Sequence, residues 1–88
     1  MPYILAEARP RLTRDLPCPE TAGELNFVIT SLVDEYVAEK GLSYAILNEV
    51  VGVLECAKAE FYRRVVAPYE DTKIQANGDV YTQLPEDS

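Results

Sequence analysis

A group of cationic and aromatic side chains between residues 61 and 73 has the strongest chemical character in this sequence. Arginine binds phosphate through two parallel hydrogen bonds, lysine adds a positive charge, and tyrosine offers a stacking face and a hydroxyl donor. The pattern therefore predicts a site for a nucleotide or another small phosphorylated molecule. The predicted ligand-binding residues are Tyr62, Arg63, Arg64, Tyr69 and Lys73.

The same cluster also fits a structural role. Glu60 lies four residues before Arg64, a spacing that favours an ion pair on one helix face. Arginine is also favourable in the last turn of a helix, where the backbone dipole is negative. The sequence leaves both interpretations open.

Catalytic chemistry is poorly represented. The chain has no histidine, which removes the commonest general base and most zinc sites, and its four glycines form no phosphate-binding loop. Adjacent carboxylates are typical of a solvated surface. We predict a protein that is not an enzyme, with no catalytic residue, no metal site and no cofactor. The carboxylate pairs are Asp34-Glu35, Glu70-Asp71 and Glu86-Asp87.

The two cysteines, Cys18 and Cys56, are far apart in sequence and have no CxxC partner. A disulfide between them is possible in principle. Cys56, however, lies in an apolar helical stretch, where a free cysteine usually behaves as a small buried hydrophobe. This interpretation fits a reducing cytoplasm.

Composition indicates one small domain, residues 1–88, with a modest core. Eight Lys and Arg face 15 Asp and Glu, for a net charge of −7, and 48% of the residues are hydrophobic. The negative charge disfavours nucleic acid polymers and anionic membranes. No apolar run approaches the roughly 20 residues that cross a bilayer, and the first residues do not resemble a secretory signal. We therefore predict a soluble cytoplasmic protein.

The first predicted helix covers about residues 22–40. Thr21 and Glu24 match a capping box, in which two side chains satisfy free backbone donors at the helix start. Apolar residues then recur every three or four positions, and Gly41 supplies a positive-φ stop. The apolar face consists of Leu25, Val28, Ile29, Leu32, Val33 and Tyr36.

The second predicted helix covers about residues 44–66. Ser43 is a good N-cap, and Pro68 is expected to end the helix because proline lacks the N–H donor. The short link between the two helices predicts an antiparallel two-helix hairpin at residues 21–67. The predicted core positions are Ile46, Val50, Val53, Leu54, Ala57, Phe61 and Val65.

The segments on either side of the hairpin have a different character. Four prolines in residues 1–20 predict an extended N-terminal arm, with a short strand or helical turn possible between Pro2 and Pro10. In residues 68–88, Asn77-Gly78 is a strong signal for a β-hairpin over 72–83, although a bare loop is nearly as compatible. Residues 83–88 are predicted to form a frayed acidic tail.

Small residues on one side of the second helix suggest self-association. Glycine inside a helix costs about 1 kcal/mol relative to alanine, and close approach of another backbone is a plausible compensation. We predict a homo-oligomer in which this strip packs on a symmetry mate; the alternative is that the arm and the C-terminal segment cover it. The small-residue strip consists of Ala45, Gly52, Cys56 and Ala59.

Several blocks of the chain resemble a family of small uncharacterised proteins of bacteria, archaea and their phages. The resemblance rests on the opening Met-Pro-Tyr-Ile, on three short runs at 41–44, 48–50 and 54–58, on the Glu-Phe-Tyr-Arg-Arg-Val-Val-Ala-Pro-Tyr-Glu block at 60–70, and on Asn-Gly-Asp-Val-Tyr at 77–81. It implies a phage-associated setting and transfers no catalytic residue.

Together these features predict a non-enzymatic, mainly α-helical binding protein. The leading hypothesis is sequestration of a nucleotide-like signalling molecule in a pocket between subunits. The alternative is an acidic protein-interaction module that inhibits or adapts a host protein.

Overall fold

In a computed structural model, residues 2–86 are described and are mainly α-helical, with no β-strand among them. Met1 and the last two residues of the predicted acidic tail, Asp87 and Ser88, lie outside the described residues. The chain divides into an N-terminal unit that runs to Ala57 and a C-terminal unit that begins at Lys58. Because the division falls inside a helix, this helix begins in one unit and ends in the other.

The N-terminal arm contains a short helical stretch, which begins in the interval from Pro2 to Pro10 where a helical turn was one of the two predicted possibilities and continues beyond it. A 3₁₀ turn, Ala6–Ala8, leads into helix α1, Arg9–Thr13. Pro10 is accommodated because it lies in the first turn, where its missing N–H is not needed. The Arg9 guanidinium donates to the carbonyl oxygen of Ile4 at 3.1 and 3.3 Å, which holds the segment before the helix against it.

Helix α2, Ala22–Lys40, has the predicted bounds. The Thr21 hydroxyl accepts the Glu24 N–H at 3.1 Å, as a capping box requires. The return bond differs, because the Glu24 carboxylate accepts the N–H of Glu20 at 3.0 Å. Gly41, with φ of 92°, ends the helix and donates its N–H to the carbonyl of Val37.

Helix α3, Tyr44–Phe61, begins where predicted, with the Ser43 hydroxyl accepting the N–H of Ile46 at 3.3 Å. The prediction that Pro68 ends this helix is wrong. The backbone continues through a π-helical turn, Tyr62–Val66, into helix α4, Ala67–Asn77. A turn with i→i+5 bonds has a different register from an α-turn, and Pro68 then falls in the first turn of α4, where proline is tolerated.

The predicted β-hairpin over 72–83 is also wrong. Residues 72–77 belong to α4, and Gly78, with φ of 87°, ends that helix by donating its N–H to the carbonyl of Ile74. An Asn-Gly pair supplies positive φ to a hairpin turn and to a helix C-terminus alike. The described residues after Gly78 have no regular secondary structure, which agrees with the loop alternative there.

The residues predicted to form the core do not form one within residues 2–86, because none of these residues is buried. Ile46 and Val50 are partly buried, whereas Val53, Leu54, Phe61 and Val65 keep 42–62% of their surface exposed. Cys56, predicted to be buried, is an exposed free thiol, as is Cys18. A helix buries its apolar face only where another element packs against that face.

No helix within residues 2–86 combines the length and hydrophobicity that crossing a lipid bilayer requires.

Candidate ligand-binding site

The predicted binding residues lie on the π turn and on α4. Tyr62, Arg63 and Arg64 occupy the first three positions of the π turn, and Tyr69 and Lys73 follow on α4. In the π turn the N–H of Ala67 bonds to the carbonyl of Tyr62, five residues earlier. We refer to Tyr62, Arg63, Arg64, Tyr69 and Lys73 as the Tyr-Arg cluster.

Tyr62 is bound to a carboxylate on the next helix. Its hydroxyl donates to Oε1 of Glu70 at 3.0 Å. This hydrogen bond raises the pKa of Tyr62 above its usual 10.0, with smaller contributions from the charge of Glu70, from desolvation and from Tyr81. The phenol therefore stays protonated at neutral pH and acts as a donor rather than as a base.

Arg63 forms an ion pair with Glu60, three residues earlier. The sequence suggested Arg64 as the partner of Glu60, but positions i+3 and i+4 both lie beside residue i on a helix, and Arg63 is the one engaged. The Glu60 side chain is 16% exposed and that of Arg63 is 67% exposed. Arg63 therefore presents most of its surface to solvent while one carboxylate holds it.

Arg64 is the arginine of the cluster that has no partner among the described residues, 2–86. It makes no hydrogen bond or ion pair with any residue in the range 2–86. A guanidinium in this condition keeps its donors free for an anion, without first breaking an internal contact.

Tyr69 and Lys73 form a cation–π pair one turn apart on α4. The Lys73 ammonium lies 5.4 Å from the centroid of the Tyr69 ring, within the range of a favourable contact. The Thr72 hydroxyl donates to the carbonyl of Tyr69. One face of the Tyr69 ring is therefore occupied by a cation, and its side chain remains 61% exposed.

Of the predicted site residues, the structure thus brings Tyr69 and Lys73 into contact. Tyr62 and Arg63 instead bind the carboxylates of Glu70 and Glu60, which were not among the predicted site residues. Glu60 was foreseeable from helical spacing. Glu70 was not, because residues i and i+8 are not neighbours on a regular α-helix. The arrangement offers cationic hydrogen-bond donors for an anion, one open aromatic face and two nearby carboxylates.

A similar phenol–carboxylate pair occurs in the N-terminal unit. The Tyr36 hydroxyl donates to Oε2 of Glu49 at 2.9 Å, and the Lys40 ammonium lies 5.9 Å from the Tyr36 ring centroid. The hydrogen bond, followed by desolvation and the charge of Glu49, raises the pKa of Tyr36. This bond joins α2 to α3.

A family model described as a domain of unknown function (DUF6899) matches residues 1–80. The chain belongs to this family. The match includes every helix of this DUF6899 protein and all five residues of the Tyr-Arg cluster, whereas Tyr81 lies outside it. No curated protein and no solved structure matches the chain.

Proposed function

We propose that this DUF6899 protein is a non-enzymatic binding protein whose Tyr-Arg cluster holds a phosphate-bearing, nucleotide-like ligand. The observation that carries the proposal is the π turn at Tyr62–Val66, which contains three of the five cluster residues. Such turns are rare, and where they occur they are frequently at functional sites. The change in helical register coincides with the cationic and aromatic residues and does not follow from their chemical character.

The residues of the cluster would have different roles. Arg64 makes the first phosphate contact, because its donors are not engaged within residues 2–86. Arg63 contributes a second contact by exchanging the Glu60 carboxylate for the ligand. Lys73 adds positive charge, and the open face of Tyr69 stacks on a base. Tyr62 positions Glu70 rather than the phosphate.

We also propose that α2 and α3 form an antiparallel hairpin and that hairpins assemble into a homo-oligomer. The hydrogen bond between Tyr36 and Glu49 and the link of residues 41–43 support the hairpin. The absence of a buried residue within 2–86 supports assembly. In this proposal the ligand occupies a pocket between subunits, and sequestration of a signalling nucleotide in a phage-associated, cytoplasmic setting is the corresponding activity.

The test is calorimetric titration of the purified protein with cyclic dinucleotides, ADP-ribose and inorganic phosphate. Arg64→Gln is expected to weaken binding about tenfold or more, and Arg63→Gln to weaken it less, since Arg63 exchanges one anion for another. Arg11→Gln is the matched control, because it removes the same charge from α1. An equal loss in Arg11→Gln, or no binding by the folded wild type, would overturn the ligand proposal.

A second candidate is the acidic protein-interaction module. It is favoured by Asp34, Glu35 and Glu39, all exposed on α2. This function predicts a stoichiometric complex with a basic protein that weakens steeply with added salt, and no small ligand. Loss of the complex in a variant with Glu35→Lys, and its retention in Glu7→Lys, would support it over general charge attraction.

A further inference from the structure

The Tyr-Arg cluster lies in a segment whose positive and negative charges are equal in number. Residues 60–73 contain three cationic and three carboxylate side chains, in a chain whose net charge is −7. All six lie in the C-terminal unit. The cations are Arg63, Arg64 and Lys73, and the carboxylates are Glu60, Glu70 and Asp71. A ligand that binds the arginines therefore enters a segment with no net positive charge.

Glu60 is a carboxylate in direct contact with an arginine of the cluster. Its Oε1 accepts a hydrogen bond from Nη2 of Arg63, and Arg64 follows it by four residues. The Glu60 side chain is 16% exposed. Solvent and salt screen a charge less when it has little contact with water. An anion bound to either arginine therefore lies near a negative charge that is poorly screened.

Ligand binding to Arg63 does not remove the charge of Glu60. Glu60 lies in the last turn of α3, and Arg63 lies in the π turn that continues the same helix. When the ion pair is exchanged for a ligand, the carboxylate therefore stays beside the guanidinium, because residues three apart are neighbours on a helix. It then repels the bound anion in proportion to the charge of that anion.

A second negative charge on a phosphate group gains little attraction in such a segment. Attraction by the three cations is offset by repulsion from the three carboxylates. A more highly charged anion also loses more hydration when it is bound. In addition, the net charge of −7 repels it more strongly at long range. The segment therefore favours a phosphate group that carries one negative charge.

We propose that the Tyr-Arg cluster binds phosphodiesters in preference to phosphate monoesters, and that Glu60 sets this preference. A phosphodiester carries one negative charge, whereas a monoester carries close to two at neutral pH because its second pKa is about 6. The preference rests on the proposed function, since it requires that the cluster binds phosphate, and it adds the chemical class of the ligand. Glu60 acts through its charge and through its contact with Arg63.

Calorimetric titrations with matched nucleotides at about pH 7.5 test the preference, because this pH lies above the second pKa of a monoester. The three pairs are cyclic AMP with AMP, cyclic GMP with GMP, and a cyclic dinucleotide with its linear form that ends in a phosphate. Within a pair the bases are the same and one diester is replaced by a monoester. The wild type is expected to bind the cyclic member at least about fivefold more tightly.

Glu60→Gln separates the effect of charge from the effect of ligand shape. Glutamine keeps an oxygen that accepts a hydrogen bond from Arg63 and removes the negative charge. We expect tighter binding of both members of a pair, a larger gain for the monoester, and dissociation constants within about twofold of each other. Glu39→Gln is the matched control, because it removes one charge from an exposed position on α2. It is expected to leave the preference unchanged, and circular dichroism checks that both variants remain helical.

The outcomes separate this preference from the proposed function. Monoesters that bind the wild type as tightly as their cyclic partners overturn the preference, while phosphate binding by the cluster stands. A preference that survives Glu60→Gln, or that Glu39→Gln removes equally, overturns the role of Glu60. Absence of binding by every member of the three pairs also overturns the preference, and titration with ADP-ribose and inorganic phosphate then decides the proposed function alone.

Discussion

The hydroxyl of Tyr62, the first residue of the π turn, donates a 3.0 Å hydrogen bond to the carboxylate of Glu70 in the first turn of α4. The bond spans the segment in which the helix changes from α to π and back. It therefore ties the geometry of the predicted binding residues to a residue that follows Pro68.

The ionisation of Tyr62 and Tyr36 should be visible in a phenolate absorbance titration. Both pKa values are raised above 10.0, chiefly by the hydrogen bonds to Glu70 and Glu49. The folded protein then keeps protons that the unfolded chain has lost, so both contributions to stability are complete below about pH 10 and decline as the pH rises through the raised values. Tyr62→Phe should therefore remove part of the increase in phenolate absorbance that occurs above pH 10. If Tyr62→Phe and Tyr36→Phe leave the titration above pH 10 unchanged, the two phenol–carboxylate bonds do not exist in solution.

Replacing Pro68 with alanine should alter the π turn. The change restores a backbone donor and removes the ring that a regular α-turn would bring against a preceding carbonyl. We expect the turn to adopt α-helical register, with a gain in the free energy of unfolding on the order of 1 kcal/mol and loss of the Tyr62–Glu70 bond. Amide exchange and the phenolate titration report the two effects. Retention of the i→i+5 bond would show that Pro68 does not cause the turn.

Replacing Gly41 or Gly52 with alanine should change the free energy of unfolding in opposite directions. Gly41 has φ of 92°, so Gly41→Ala should destabilise the end of α2 by about 1 kcal/mol. Gly52 lies inside α3, and a Cβ there would meet nothing within 4 Å among residues 2–86. Gly52→Ala should therefore stabilise the helix by up to about 1 kcal/mol. Thermal unfolding measures both, and destabilisation by Gly52→Ala would point to a second backbone packed on the small-residue strip.

Thr21→Ala should lower the free energy of unfolding by about 1 kcal/mol, because the N–H of Glu24 loses its acceptor. Thr21→Ser keeps the hydroxyl and is expected to retain most of the stability. The comparison is made by thermal unfolding followed by circular dichroism. An equal loss in both variants would assign the effect to packing of the threonine methyl group.

The sequence predicted the features that depend on neighbouring residues. Thr21 and Gly41 bound α2 through contacts that span three or four positions, and Ser43 begins α3 in the same way. The end of α3 was not predictable, because the π turn that accommodates Pro68 arises from a change in hydrogen-bond register. Asn77-Gly78 was misassigned since the signal for a tight turn also ends a helix.

The candidate site was predictable only in part. The residue types identified the Tyr-Arg cluster, and helical spacing identified Glu60 as a counter-charge. The bond from Tyr62 to Glu70, the engagement of Arg63 instead of Arg64, and the exposure of Phe61 and Val65 depend on the folded backbone. The exposure of a side chain depends on which other elements pack against its helix, and hydrophobic periodicity alone does not identify those elements.

The hydrogen bonds described above join residues that are close in sequence, and this has a consequence for the folding rate. The largest separation among them is thirteen positions, between Tyr36 and Glu49. A chain held by contacts so close in sequence has a low contact order, and its helices should form within about a microsecond of dilution from denaturant. Pairing of two copies is a bimolecular event and is therefore slower. Refolding followed by stopped flow should show a helical burst that is independent of protein concentration and a later phase whose rate increases with it.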